Sequence, residues 1–238
     1  DTMNIEDVTG LTVNGVDKTT VIIQPSSTLD WDVGGYGSSR KGAVRVVNST
    51  DVTLQNMTMD FDLIKGNGIF GIFGWDSALT VDNNILQNMS VDDSSGGYYE
   101  LCSYFRAPGF TDGDRADVTF TGNTFIDAGR VGIVTHDYIY ATIDGNTFYK
   151  TLDDFGYGVE VGSQSTGVVS NNVIYGYDTP AASDGSESAG IYIENAFTSG
   201  STTQLTKNVT VENNEIYDCQ YAMWIGNGYD AFAGDVAL

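Results

Sequence analysis

Residues 117–163, DVTFTGNTFIDAGRVGIVTHDYIYATIDGNTFYKTLDDFGYGVEVGS, state one pattern twice. Asn123 and Asn146 stand 23 residues apart, each within an apolar/polar alternation that ends in GNTF, and each is followed by a second short run that opens at Gly132 or Gly158. A repeat of twenty-odd residues that carries two or three short strands cannot bury its own apolar face. It must stack on the next copy, which makes the chain a solenoid.

The same pattern recurs outward from this stretch as VTLQNMTM (52–59), LTVDNNIL (79–86), GVVSNNVI (167–174) and VTVENNEI (209–216). Aligning them places Asn56, Asn84, Asn123, Asn146, Asn172 and Asn214 in one column, with spacings of 28, 39, 23, 26 and 42. A short coil is thus interrupted by insertions of variable length, notably Pro25–Ser39 and YDTPAASDGSES at 177–188. With a weaker copy at LTVNGVDKTTVII from Leu11, about seven coils are expected. Runs of five to eight residues with period-two alternation, punctuated by Gly, Asn and Asp, predict strands throughout and no helix. Homologous strands one whole repeat apart point the same way, so the stacking is parallel. Val118, Phe120, Phe125, Ile143 and Phe148 are expected to point inward. Asn84, Asn123, Asn146, Asn172 and Asn214 are read as a structural ladder, taking the bend between strands, where asparagine tolerates the left-handed conformation and its amide can bond both neighbours.

Composition narrows the function classes. The 32 acidic against 10 basic residues give a formal charge of −22, which disfavours nucleic acid and anionic membranes as partners. No window approaches 18 uninterrupted apolar residues, so no transmembrane helix is expected. Residues 1–238 read as one elongated domain, and the abrupt start at Asp1 is taken as the mark of a segment of a longer secreted or surface protein. Cys102 and Cys219 fall four coils apart, roughly 19 Å at the ~4.8 Å strand spacing, too far for a disulfide. Asn-x-Ser/Thr sequences at Asn48, Asn56, Asn88 and Asn208 are compatible with a glycosylated exterior.

Chemistry is sought on the later strand of each coil. Aligned on Gly132, Gly158, Gly190 and Ala222, the residues expected to face solvent form a column Val134, Glu160, Tyr192, Trp224. Beside it runs a column His136, Gly162, Glu194, Gly226, edged by Asp137, Ser163, Asn195 and Asn227. The only histidine in the chain then lies two rungs, roughly 9.6 Å, from Glu194, with a glycine between them. Glu160 and Glu194 are candidate catalytic carboxyl groups for cleaving a glycosidic bond, with His136 as proton carrier. Asp137, Tyr192, Asn195 and Trp224 are candidate substrate contacts, the aromatic rings offering flat apolar surfaces to a sugar. In the loop TDGDRAD, Asp112 and Asp114 are candidate ligands for calcium, the one cofactor considered; none is required. The competing reading of all these groups is that they are ordinary residues of an exposed sheet face.

The coils VTFTGNTF/VGIVTHD, ATIDGNTF/GVEVGS and VTVENNEIYDCQYAMWIG resemble the right-handed parallel β-helix repeats of carbohydrate-binding and sugar-hydrolase proteins. That superfamily includes NosD-like proteins and archaeal disaggregatase-related surface proteins. The resemblance implies an all-β, single-stranded right-handed parallel β-helix, and it specifies architecture rather than activity. The chain has no Gly-His-Gly and no Arg-Ile-Lys, which departs from the pectinase pattern. Two expectations follow. The first is an extracellular, cell-surface or envelope β-helix acting as a rigid structural module that associates with itself or with other envelope proteins. The alternative is a carbohydrate-active enzyme or glycan-binding domain acting on a polysaccharide.

Overall fold

The computed structural model describes residues 3–24, 41–64, 69–89, 101–179, 187–194, 206–226 and 236–237. Every regular element among them is a strand, and the strands fall into three parallel sheets. Sheet I stacks, in order, β1 (Met3–Glu6), β4 (Lys41–Val47), β7 (Ile69–Trp75), β10 (Leu101–Ala107), β13 (Val131–Asp137), β16 (Tyr157–Val161), β19 (Ala189–Ile193) and β22 (Tyr221–Ile225). Sheet II stacks β2 (Thr9–Asn14), β5 (Thr50–Gln55), β8 (Leu79–Asp82), β11 (Ala116–Thr121), β14 (Ile139–Asp144), β17 (Thr166–Ser170), β20 (Val209–Glu212) and β23 (Val236–Ala237). Sheet III holds β3 (Ile22–Ile23), β6 (Thr58–Ile64), β9 (Ile85–Met89), β12 (Thr124–Ala128), β15 (Thr147–Tyr149), β18 (Val173–Tyr175) and β21 (Glu215–Tyr217). A coil is one strand from sheet II, one from sheet III and one from sheet I. Seven such coils follow one another, as the repeat count leads one to expect.

The interior is built from columns. Leu54, Val81, Phe120, Ile143 and Val169 stack along sheet II, and Met59, Leu86, Phe125, Phe148 and Ile174 along sheet III, all of them buried. The rings of Phe125 and Phe148 lie 4.6 Å apart and nearly parallel. Repeated apolar residues in register thus bury one another, the main gain of a stacked repeat. Cys102 and Cys219 are both free; burial pushes the Cys102 thiol well above its ordinary range.

The corner from sheet II to sheet III sets the register. In coils two to seven it is always two residues long: 56–57, 83–84, 122–123, 145–146, 171–172 and 213–214. The first of the pair takes positive φ: Asn56 (58°), Asn83 (51°), Gly122 (61°), Gly145 (65°), Asn171 (55°) and Asn213 (55°). Glycine and asparagine are the residues that enter this region at least cost. The second is the ladder asparagine, whose Oδ1 accepts from the backbone N–H and the side-chain amide of its counterpart one coil earlier. For Asn146 these bonds measure 3.0 and 2.9 Å from Asn123, and Asn146 in turn donates to Asn172 Oδ1 and to the Phe120 carbonyl. The same set links Asn84 to Asn123 and Asn172 to Asn214.

Two details of the expected ladder are therefore corrected. The left-handed turn belongs to the residue before each ladder asparagine, not to the asparagine itself. Asn56 is also one place out of register. Gln55 pairs with Asp82, so Met57 occupies the ladder position and its N–H donates to Asn84 Oδ1. Asn56 instead joins an exposed string, donating to Asn14 and accepting from Asn83.

The corner from sheet III to sheet I has no fixed length, running from two residues (129–130) to seventeen (24–40). In coils four to six the second residue of the next strand is a glycine, Gly132, Gly158 or Gly190, where coils three and seven carry Cys102 and Ala222. A Cβ on Gly132 would lie 2.7 Å from the Gly158 carbonyl oxygen and 3.0 Å from the Phe148 ring, and one on Gly158 or Gly190 would strike Ile174 or Ile216. The glycines are present because the apolar column of sheet III crowds this corner. Lys150 is buried in the same corner, its ammonium bonded to the Gly129 carbonyl and paired with Asp154.

Because each buried ladder amide satisfies groups in the coils on both sides, Asn146→Ala should cost about 3 kcal/mol in chemical denaturation, the scale of orphaning two or three buried polar groups. Asn56→Ala, on the exposed string, should cost under about 1 kcal/mol. Equal losses at the two positions would contradict the buried ladder as the register-setting device.

Candidate functional site

The columns expected on sheet I exist with the expected register. Val134 pairs with Glu160, Glu160 with Tyr192 and Tyr192 with Trp224. His136 continues the column of Trp75 and Arg106, and Gly162, Glu194 and Gly226 follow it through backbone bonds to Thr135, Val161 and Ile193.

Their expected exposure is corrected. His136 is 3% exposed, Val134 1%, and Glu160 and Tyr192 8% each. The outer face of sheet I carries a second apolar cluster, made by Phe70, Phe73, Leu101, Tyr104, Val131, Val134, Tyr157 and Tyr192 among others, with Trp75 and Trp224 packed against it. The strands therefore have two buried faces, and their sequences say so: IFGIFGW and VGIVTHD place large apolar residues on both sides instead of alternating.

Within this cluster the polar groups converge. His136 Nε2 lies 2.9 Å from Glu160 Oε1 and 3.5 Å from Glu194 Oε2. The second distance is far shorter than the spacing of two rungs. Gly162 stands between the two and has no side chain to hold them apart, so His136 and Glu194 lean over it from either side. A Cβ there would come within 2.7 Å of Glu194 Oε2 and 3.1 Å of His136 Cδ2. The Tyr104 ring meets the imidazole edge-on at 5.7 Å. Ser163 Oγ is 3.5 Å from Glu194 Oε2, and the Thr206 hydroxyl donates to the Glu194 carbonyl. Burial, opposed by His136 and reinforced by the neighbouring Glu160, pushes the Glu194 carboxyl up to about 7.

The remaining candidates lie around this centre to different degrees. Asp137, at positive φ, holds Arg106 in a two-pronged ion pair of 2.6 and 3.1 Å, and Arg106 also lies over the Trp75 ring. Asp137 is thus engaged with a cation of the previous coil. The Tyr192 and Trp224 rings pack at 5.0 Å, tilted 31° to each other, with Tyr157 beside them, and burial raises the Tyr192 hydroxyl far above its usual range. Asn195 lies outside the described residues. Asp112 forms an ion pair with Arg115, and Asp114 exchanges backbone hydrogen bonds with Thr111 in the same loop. Arg115 also donates to the Gln164 carbonyl, 2.6 Å away. Through Arg115 the loop reaches the Tyr138 ring and the Ile139 carbonyl, on the corner that follows His136 and Asp137. Among the described residues, the only group of three or more His, Cys, Asp or Glu side chains with convergent ligand atoms is His136, Glu160 and Glu194.

Sequence reasoning missed Arg106 and Tyr104, which pack against Asp137 and His136 from the preceding coil. Extending the column alignment one repeat toward the N-terminus, to LCSYFRA, would have found both.

A family profile described as a right-handed β-helix region matches residues 7–175 and again 110–233. The chain belongs to the right-handed β-helix family. No curated protein and no solved structure matched it. In this β-helix the three sheets wind with the handedness of the family, and the convergent polar cluster sits on the outside of the sheet whose strands close each coil.

The raised Glu194 carboxyl has a determinate effect on stability. A carboxyl whose folded value exceeds the ordinary 4.5 retains its proton in the fold while the unfolded chain loses it. Its contribution therefore weakens as pH rises from about 4.5 through about 7 and is constant on either side. Denaturant unfolding in the presence of a chelator should show wild-type stability falling across this window relative to Glu194→Gln. A pH-independent difference between the two proteins would contradict the assignment.

Proposed function

We propose that this β-helix is a rigid structural module of an extracellular, cell-surface or envelope protein, and that it associates with itself or with neighbouring envelope proteins. The observation that carries the reading is the use to which the chain puts its polar side chains. The ladder asparagines bind the coils to one another, Arg106 and Lys150 are held in ion pairs, and the carboxyl groups on the outer face of sheet I are covered rather than displayed. Such internal satisfaction serves rigidity. The formal charge of −22 adds a surface that stays soluble in a salt- or divalent-rich exterior.

Coil seven supplies the apolar surface for association. Tyr221 is more than two-fifths exposed, and Met223, Trp224 and Ile225 beside it are only partly buried, whereas the equivalent residues of coils four to six are almost fully covered; Tyr217, which ends the Tyr149–Tyr175 ring stack, is also more than two-fifths exposed. Sedimentation velocity across a concentration series, with negative-stain microscopy of the same samples, should show assemblies that Tyr221→Arg weakens. A monomer at all concentrations up to the millimolar range would remove the associating part of the reading.

A second reading is favoured by one observation. Glu160 and Glu194 are brought within reach of the same imidazole beside the Tyr192–Trp224 pair, a composition suited to acid/base cleavage of a glycan. Incubation with a panel of neutral and amino-sugar polysaccharides decides it. Reducing ends released by the wild type and lost in Glu194→Gln would establish the enzyme, and no release from any member of the panel would leave the structural module.

A further inference from the structure

We propose that His136, Glu160 and Glu194 form a binding site for one divalent first-row transition-metal ion, of which Zn2+ is the representative, clamping coils four, five and six. One imidazole nitrogen and two carboxylate oxygens, each from a different coil, lie within 4.8 Å of one another. Zinc–nitrogen and zinc–oxygen bonds of about 2.0–2.2 Å in a tetrahedral arrangement require donors roughly 3.3–3.5 Å apart. The His136–Glu194 separation is already 3.5 Å, and the His136–Glu160 contact of 2.9 Å needs to open by only a fraction of an ångström.

Space and charge agree with the distances. Gly162 leaves the position between His136 and Glu194 unfilled, and any larger residue would press on both donors. When both carboxyl groups facing the imidazole are ionised, their charge exceeds what one imidazolium offsets, with Arg130 also acting on Glu194. Arg106, on the adjoining rung, is engaged with Asp137. A dication neutralises both carboxylates at once, as buried charge requires.

The donor set also selects among metals. Imidazole with two carboxylates and no thiolate suits Zn2+, Mn2+, Fe2+, Co2+ or Ni2+. Calcium prefers six to eight oxygen donors and gains little from a nitrogen. Three protein donors leave a coordination position for water. The Tyr104 ring against the imidazole and the Thr206 bond to the Glu194 backbone hold two of the donors in place.

The sequence provides an unusually clean readout, because His136 is the only histidine. The whole chain, stripped with a chelator and dialysed into metal-free buffer, should give a single imidazole spin system by nitrogen-15 NMR. One equivalent of Zn2+ should shift it, and Co2+ should add visible ligand-field absorption. Zn2+ should also raise the thermal midpoint reversibly, EDTA should reverse the rise, and Ca2+ at the same concentration should leave the imidazole unmoved. Glu194→Gln should weaken Zn2+ binding at least tenfold, while the Asp112→Asn/Asp114→Asn double variant should bind as the wild type does. An imidazole resonance unmoved by saturating Zn2+ would overturn the proposal without recourse to any variant. Zn2+ uptake unchanged in Glu194→Gln would overturn it equally, since the ion would then be held by the acidic surface at large. Neither result bears on whether the protein assembles or cleaves glycans.

Discussion

The molecule depends on one constraint: a buried corner between two strands must satisfy its backbone groups without water. The chain meets it with an asparagine whose amide reaches both neighbouring coils, accepting from the coil before and donating to a carbonyl there and to the next asparagine. An unsatisfied buried group costs ~1–3 kcal/mol, and the corner recurs in coils two to seven, so the requirement is multiplied along the solenoid. Apolar columns supply most of the driving force, but they tolerate sliding. The amide ladder does not, because a slip of one residue would leave each corner with an apolar side chain and a left-handed residue in the wrong place. Coil two shows the tolerance that remains: Met57 fills the position, still donating its N–H to Asn84 but bringing no amide of its own.

Much of this was legible before any coordinates. The doublets Gly122–Asn123, Gly145–Asn146, Asn171–Asn172 and Asn213–Asn214 announce a left-handed residue followed by a bonding one, and their spacing defines the coil. Alignment of Gly132, Gly158 and Gly190 gave the register of sheet I correctly. Less legible was which of two adjacent asparagines does which task, since both are asparagine in coils three, six and seven. In coil two the single Asn56 was matched to the ladder when the pairing puts it on the turn.

The burial of the outer face of sheet I was harder to read. Alternation is a statement about one face, and strands such as IFGIFGW do not alternate. A continuous apolar run is the signature of a strand covered on both sides, and that rule applied here would have moved Glu160, His136 and Tyr192 from a solvent-facing surface to an enclosed one. The convergence of His136 on Glu194 could not be had from rung spacing at all. Rung spacing measures backbones, whereas the contact is made by two long side chains meeting across a residue that has none. Glycine has the same consequence in both places where it matters, the sheet III corner and the polar cluster: an absent side chain determines where other side chains go.

The corners divide the labour of change. At one, coils two to seven each use two residues whose backbone and amide groups are committed to the neighbouring coils, and only coil one, with residues 15–21, departs from that length. At the other, the connection lengthens from two residues to seventeen while the parallel pairing of the strands it joins continues from coil to coil. The first corner works as a counter that advances one turn at a time. The second, together with the corner from sheet I to sheet II, which runs from one residue (138) to fifteen (194–208) beside His136 and Glu194, works as a port where the connection can lengthen while the winding beneath it stays the same.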